Sequence, residues 1–223
     1  MSMAKEYLRR IAVCVVGLIL YGLGNACGVM AGSVGTNAWN TLSIGLADRL
    51  GCSFGAANFS ISLIVIVAVV IGKGKIGVGT ILNIGIISLF SELWIGLLRL
   101  LPASDSGILG VGYSLLGQFI ISFSIVIYMR AELGCGPRDG LMVLLGRRLP
   151  GIPIGAVKFG IELIVLGIGV LLGAPFGIGT VLVMALQASI FQLVCRLCRF
   201  EPRSLRHENV LDTLRRIAGR EAP

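Results

Sequence analysis

The amino-acid sequence predicts an all-α membrane protein of about six transmembrane helices. They form two inverted three-helix repeats, each with a short amphipathic or re-entrant half-helix. Three observations predict it. Six apolar runs reach the length of a bilayer crossing, the basic residues gather on one side of them, and a set of motifs occurs once in each half of the chain.

The apolar runs come from composition. Of 223 residues, 56% are hydrophobic and 13% charged, and the mean hydropathy is +0.94. A water-soluble domain carries about a quarter charged residues, so most of this surface must face lipid. A bilayer core needs roughly 20 helical residues to cross it. Residues 11–32, 56–72, 76–98, 107–129, 154–173 and 178–198 supply such runs, the second of them short enough to recruit flanking residues. Residues 37–50 and 137–149 are semi-apolar and about 13 residues long, which suits an interfacial, re-entrant or broken half-helix. Lys5, Arg9 and Arg10 precede the first run as they would in a signal peptide, but the run is too long for one and reads as a permanent helix. The 32 glycines lack collagen periodicity and suit close helix packing; Gly24, Gly28 and Gly32 read as a packing seam on the first helix.

Orientation follows from the loops. With the N-terminus inside, Lys5, Arg9, Arg10, Lys73, Lys75, Arg130, Arg138, Arg147, Arg148 and the tail arginines all fall inside. Only Arg49 and Arg99 fall outside, so both termini are expected in the cytoplasm. The net charge of +8 is thus a topology signal; scattered between apolar runs, it offers no nucleic-acid surface. Residues 1–201 form a single transmembrane domain, with repeat A at about 9–101 and repeat B at about 107–199. Residues 202–223 form a basic cytoplasmic tail, read either as an amphipathic surface helix or as a frayed segment.

The repeat is explicit in the residues. Gly77-Val78-Gly79-Thr80-Ile81-Leu82 matches Gly177-Ile178-Gly179-Thr180-Val181-Leu182. Residues 35–42 align with 134–141, Gly55 with Gly155 and Phe59 with Phe159. Each unit holds three spans, an odd number, so the second copy is inverted relative to the first.

These residues resemble those of the YczE/YitT-type integral membrane proteins of bacteria, in particular the YczE-like branch. The resemblance runs from about Arg9 to Arg199. It rests on Gly134-Cys135-Gly136-Pro137-Arg138-Asp139-Gly140-Leu141, the two Gly-x-Gly-Thr turns, and Ile161-Glu162. Where the family's first copy commonly reads Pro-Trp-Asp, this chain has Ala38-Trp39-Asn40, which removes a charge from that copy. The resemblance implies a multi-pass protein of the bacterial cytoplasmic membrane.

Polar residues inside apolar runs need a reason, since a charge at the bilayer centre costs on the order of 2.5–3.5 kcal/mol. Glu162 lies well inside the fifth run with Lys158 one turn before it; the pair either pins helix packing or serves a site. Glu92 lies towards the outer end of the third run, where it can also reach the interface. Arg138 and Asp139 open the second short element, and Trp39 and Asn40 open the first. Gln192, on the closing helix of repeat B, is the neutral neighbour expected beside Glu162. Arg138, Asp139, Lys158, Glu162, Gln192, Trp39, Asn40 and Glu92 are therefore the candidate substrate-binding or coupling residues. Asn25, Asn58, Asn83, Gln118 and Gln187 read as interhelical hydrogen-bonding groups.

No catalytic constellation is visible: the lone histidine, His207, lies in the tail, and no nucleotide loop occurs. The six cysteines read as packing residues, Cys195 and Cys198 included, so neither enzyme activity, cofactor nor metal is expected. The expected function is a secondary transporter or permease of a small solute, with a site between the repeats. Half-helix N-termini aimed at that site would favour an anionic solute. The alternative is a non-transporting scaffold or regulator of a partner complex. Expected partners are the lipid bilayer, the solute and, in an oligomer, further copies of the chain.

Overall fold

A computed structural model describes residues 3–74, 76–100 and 107–200; Lys75, Asp105 and the tail lie outside the described residues. Among those described there are eight α-helices: α1 (Met3–Met30), α2 (Ala38–Leu50), α3 (Phe54–Ile71), α4 (Val78–Leu98), α5 (Gly107–Met129), α6 (Pro137–Arg148), α7 (Ile154–Leu171) and α8 (Ile178–Leu197). All but α2 and α6 are long and apolar enough to cross a membrane, and these six coincide with the six apolar runs.

Local chemistry sets the ends. Asn37 caps α2, its side chain accepting from the Asn40 amide at 3.0 Å, and Ser53 caps α3 by accepting from the Ala56 amide at 3.2 Å. Gly51 ends α2 in the left-handed region at φ 61°, where a side chain would be strained. Pro137 occupies the first turn of α6, where its missing N–H costs nothing.

α1 packs along α5 and α4, and α5 along α8. The short helix α2 lies on α7 and α3, and α6 lies on α3 and α7. Most contacts of α1–α4 thus have a counterpart when the two sets of four helices are exchanged. The largest departure is that α3 packs closely on α4, with Gly55 against the Ser88 carbonyl, whereas the backbones of α7 and α8 stand farther apart and Gly155 faces open space.

α2 is an interior element. Asn40, Thr41 and Ser43 are fully buried, while Trp39, Leu42 and Leu46 pack on Ile61, Val65 and Val69 of α3. Its polar side chains donate to backbone carbonyls: Asn40 to Asn25 at 3.4 Å, Thr41 to Asn37 at 3.0 Å and Ser43 to Trp39 at 2.9 Å, while Asn40 Oδ1 is buried without a hydrogen-bond partner among the described residues. Donors buried away from water need protein acceptors of this kind. The outward surfaces of the long helices are apolar, with Ile64, Ile71, Ile164 and Leu171 exposed.

The expected glycine seam holds at two positions and fails at the third. A Cβ on Gly24 would sit 2.8 Å from the Gly117 carbonyl, and one on Gly28 would run into Thr36 and Asn40. Gly32 lies past the end of α1, with φ 60° and nothing within 4 Å, because the helix stops at Met30. Across the seam, a Cβ on Gly117 would lie 2.6 Å from the Gly24 carbonyl. Gly117→Ala should therefore force α1 and α5 apart and cost about 1–3 kcal/mol. Gly112→Ala, on the same helix with nothing within 4 Å, should be neutral or stabilising by up to about 1 kcal/mol. Thermal unfolding of the two variants in detergent, side by side, checks both.

Candidate functional site

The first turns of α2 and α6 open onto one cavity of about 110 Å³, and all eight helices contribute to its wall. The reason they meet is a reciprocal fit of glycine turns. Gly134, at φ 122°, lies so close to the start of α4 that a Cβ would be 2.7 Å from Gly77 Cα and 3.1 Å from Thr80 Oγ1. Gly35, at φ 83°, lies equally close to the start of α8, where a Cβ would collide with Thr180 Oγ1. Hydrogen bonds fix the first of these: Gly79 N–H donates to the Leu133 carbonyl at 2.7 Å and Thr80 Oγ1 to the Cys135 carbonyl at 2.6 Å. Each short helix is thus held against the Gly-x-Gly-Thr turn of the other half of the chain.

Arg138 extends from the first turn of α6. Its Nη2 donates to Asn58 Oδ1 at 2.8 Å, and its guanidinium carbon lies 4.7 Å from the centre of the Trp39 ring. The Asn58 amide is oriented by donating in turn to Ser88 Oγ at 3.0 Å. Among the described residues, no carboxylate lies within 4.0 Å of the Arg138 guanidinium. Asp139 follows it and accepts from the Tyr128 hydroxyl at 3.2 Å, in a first helical turn whose dipole favours its charge.

A second polar group stands on the α7–α8 side. Glu162 is buried at 7% exposure, and its Oε2 accepts from the Gln187 amide. Its Oε1 lies 3.9 Å from Lys158 Nζ, whose side chain is half exposed. A pair at that distance, with one partner solvated, contributes little. Apolar residues complete the wall, among them Ile87, Ile121, Ile125, Ile161, Val183 and Met184.

Of the residues singled out in the sequence, Trp39, Arg138, Asp139, Lys158 and Glu162 share this cavity. Three do not line it. Glu92 caps α3 instead, its Oε2 accepting from the Gly55 amide at 2.9 Å. Asn40 is turned towards α1 and donates to the Asn25 carbonyl. Gln192 is exposed on α8, and Gln187 is the partner of Glu162 in its place. Five residues are about 140° apart on a helix, enough to move a side chain off the face.

Tyr21, Asn58, Ser62, Asn83, Gln118, Tyr128 and Gln187 also line the cavity. The sequence held a signal for several of them. The register that pairs Gly77 with Gly177 also pairs Asn58 with Lys158, Ser62 with Glu162, Asn83 with Val183 and Ile87 with Gln187, and every one of these lines the wall. Tyr21 and Tyr128 carried none. Among the described residues, no three His, Cys, Asp or Glu side chains converge as a metal site would require.

Six long apolar helices around a polar cavity define a polytopic helical membrane protein. The chain belongs to the family of unknown function DUF6198, which matches residues 8–196. It is similar to a protein of Haemophilus influenzae named only as uncharacterized, at 33% identity over 191 residues that cover 86% of this chain and 85% of that one. It is also similar to the Bacillus subtilis protein called uncharacterized membrane protein YczE, at 27% identity over 191 residues, 85% of this chain and 87% of the relative. The YczE-like kinship read from the motifs is therefore shown. No solved structure matches the chain.

Asn58 is the polar hinge of this site, since it holds Arg138 on one side and Ser88 on the other. Asn58→Ala should lower stability by about 1–3 kcal/mol by stranding a hydrogen-bonded charge. Lys158→Ala should change it by less than about 1 kcal/mol. Denaturation of both variants in detergent, compared with the parent, measures the difference.

Proposed function

We propose that the protein is a secondary transporter or permease of a small solute, with its site in the cavity between two inverted three-helix repeats. One observation carries this reading. Positions paired by the internal repeat meet at a single cavity, and several of them are polar or charged. Duplicated units with discontinuous helices around a central site are a recurrent plan for alternating access, because one unit can rock against the other around a fixed site. The exchange of helix contacts between the halves supports the repeat. The odd number of spans per unit and the bias of Lys and Arg support its inversion, with both termini in the cytoplasm of a bacterial cell.

A scaffold of the same fold would have no need to open the cavity to both sides of the membrane. Ser62 lines the cavity and is buried, and Ser62→Cys is close to isosteric. In a background without the six native cysteines, that thiol should be modified by a membrane-impermeant reagent both in right-side-out and in inverted vesicles. Modification from one side only, or from neither, would favour the non-transporting scaffold. Labelling at Arg49 from outside and at Arg147 from inside, each replaced by Cys, checks the orientation in the same preparation.

A further inference from the structure

The cavity also carries information about what it holds. Resting on the transport reading for its physiological meaning, we propose that its ligand is a small organic monoanion, a short-chain monocarboxylate, held by Arg138 with its apolar tail against α5, α7 and α8.

Arg138 sets the sign. Its guanidinium is met by neutral groups, Asn58 Oδ1, the Tyr21 hydroxyl and the face of Trp39, and among the described residues no carboxylate lies within 4.0 Å of it. Stacking on Trp39 and bonding to Asn58 hold the plane of the fork in place, which leaves an edge for a carboxylate to meet with paired N–H···O bonds. The first turns of α2 and α6 line the same wall, so their dipoles reinforce the preference for an anion.

The other charges set its size. Asp139 and Glu162 line the same cavity, and Glu162 is buried. A second negative charge on the ligand would face these carboxylates with only the half-exposed Lys158 to offset it, so a dianion is disfavoured. The rest of the wall is apolar: Ile121, Ile125, Ile161, Val183 and Met184 give a tail something to bury against. A volume of about 110 Å³ admits a handful of heavy atoms. Butyrate meets these terms; sulfate lacks the tail and carries too much charge, and octanoate is too long.

The chain has two tryptophans, and Trp94 lies outside the cavity, donating to the Ile19 carbonyl. Trp94→Phe therefore leaves Trp39 as a reporter beside Arg138. The full chain with this change is placed in lipid nanodiscs and titrated with butyrate, butyramide, sulfate and octanoate. Butyrate should change Trp39 emission saturably, and the other three should bind at least about ten-fold more weakly, the loss of one charge-assisted hydrogen bond or its equivalent. Arg138→Gln should remove the butyrate response, and Arg138→Lys should weaken it without restoring the fork. Sulfate or butyramide matching butyrate, no saturable response to butyrate, or undiminished binding in a folded Arg138→Gln protein would each overturn the proposal. The ligand comparison needs no Arg138 variant, so it decides even where the substitution unfolds the protein. Binding without two-sided labelling of Ser62→Cys would sink transport and leave the monocarboxylate site standing; two-sided labelling without butyrate binding would do the reverse.

Discussion

The reciprocal docking of two glycine turns is the contact on which the remaining architecture depends. Backbone that leaves a helix inside a membrane protein must bury its polar groups against other protein. The segments before α2 and α6 do so by pressing Gly35 and Gly134 onto the starts of α8 and α4, at distances that no side chain would tolerate. That approach fixes where each short helix begins, and hence which residues its first turn presents. The packing of α2 on α7 and of α6 on α3 follows from the same exchange. Because each half is held by a turn from the other, neither short helix is anchored by its own unit alone.

Once the short helices are placed, the charges have few options. Arg138 is stacked and hydrogen-bonded, Asp139 is held by Tyr128 and by its position in the first turn, and Glu162 is held by Gln187. These groups are held mostly by neutral partners, with only the loose Lys158–Glu162 pair as an exception. Tightly paired buried charges lock a structure, whereas charges kept by neutral donors and acceptors remain available to a ligand. The two halves of the chain also differ in chemistry at positions 100 residues apart. Asn58 and Ser62 of α3 stand 100 residues before Lys158 and Glu162 of α7, so the ionised groups collect on the side of the second half of the chain.

Much of this was legible before any coordinates. Long apolar runs announce helices through length and hydropathy alone, and each of the six runs is one helix. The interior position of α2 was harder to read, because Asn40, Thr41 and Ser43 look like a solvated face until their bonds to the Asn25, Asn37 and Trp39 carbonyls are known. Helix phase misled at Gln192, where Gln187 takes the place beside Glu162. Glu92 was opaque for another reason: its partner is the backbone amide of Gly55, and a backbone donor leaves no trace in composition. α1 extends beyond its apolar run to Met3, and on that extension Tyr7 is buried and Arg10 donates to the Ala131 carbonyl at 2.7 Å. The spacing of 100 residues that matches Gly77 to Gly177 also pairs Ser62 with Glu162, Asn83 with Val183 and Ile87 with Gln187, all of which line the cavity.

The central claim is that the first turns of α2 and α6 meet inside the protein. Replacing Trp39 and Arg138 by cysteine in a background free of the native thiols puts one reporter on each turn. A short homobifunctional thiol reagent should join them within a single chain in membranes, and mass spectrometry of the digested protein reads the linked peptides directly. Half-helices lying flat on opposite faces of the bilayer would be separated by about 30 Å and give no such link. An efficient intramolecular cross-link is the result the account predicts, and its absence while both cysteines remain singly reactive would contradict it.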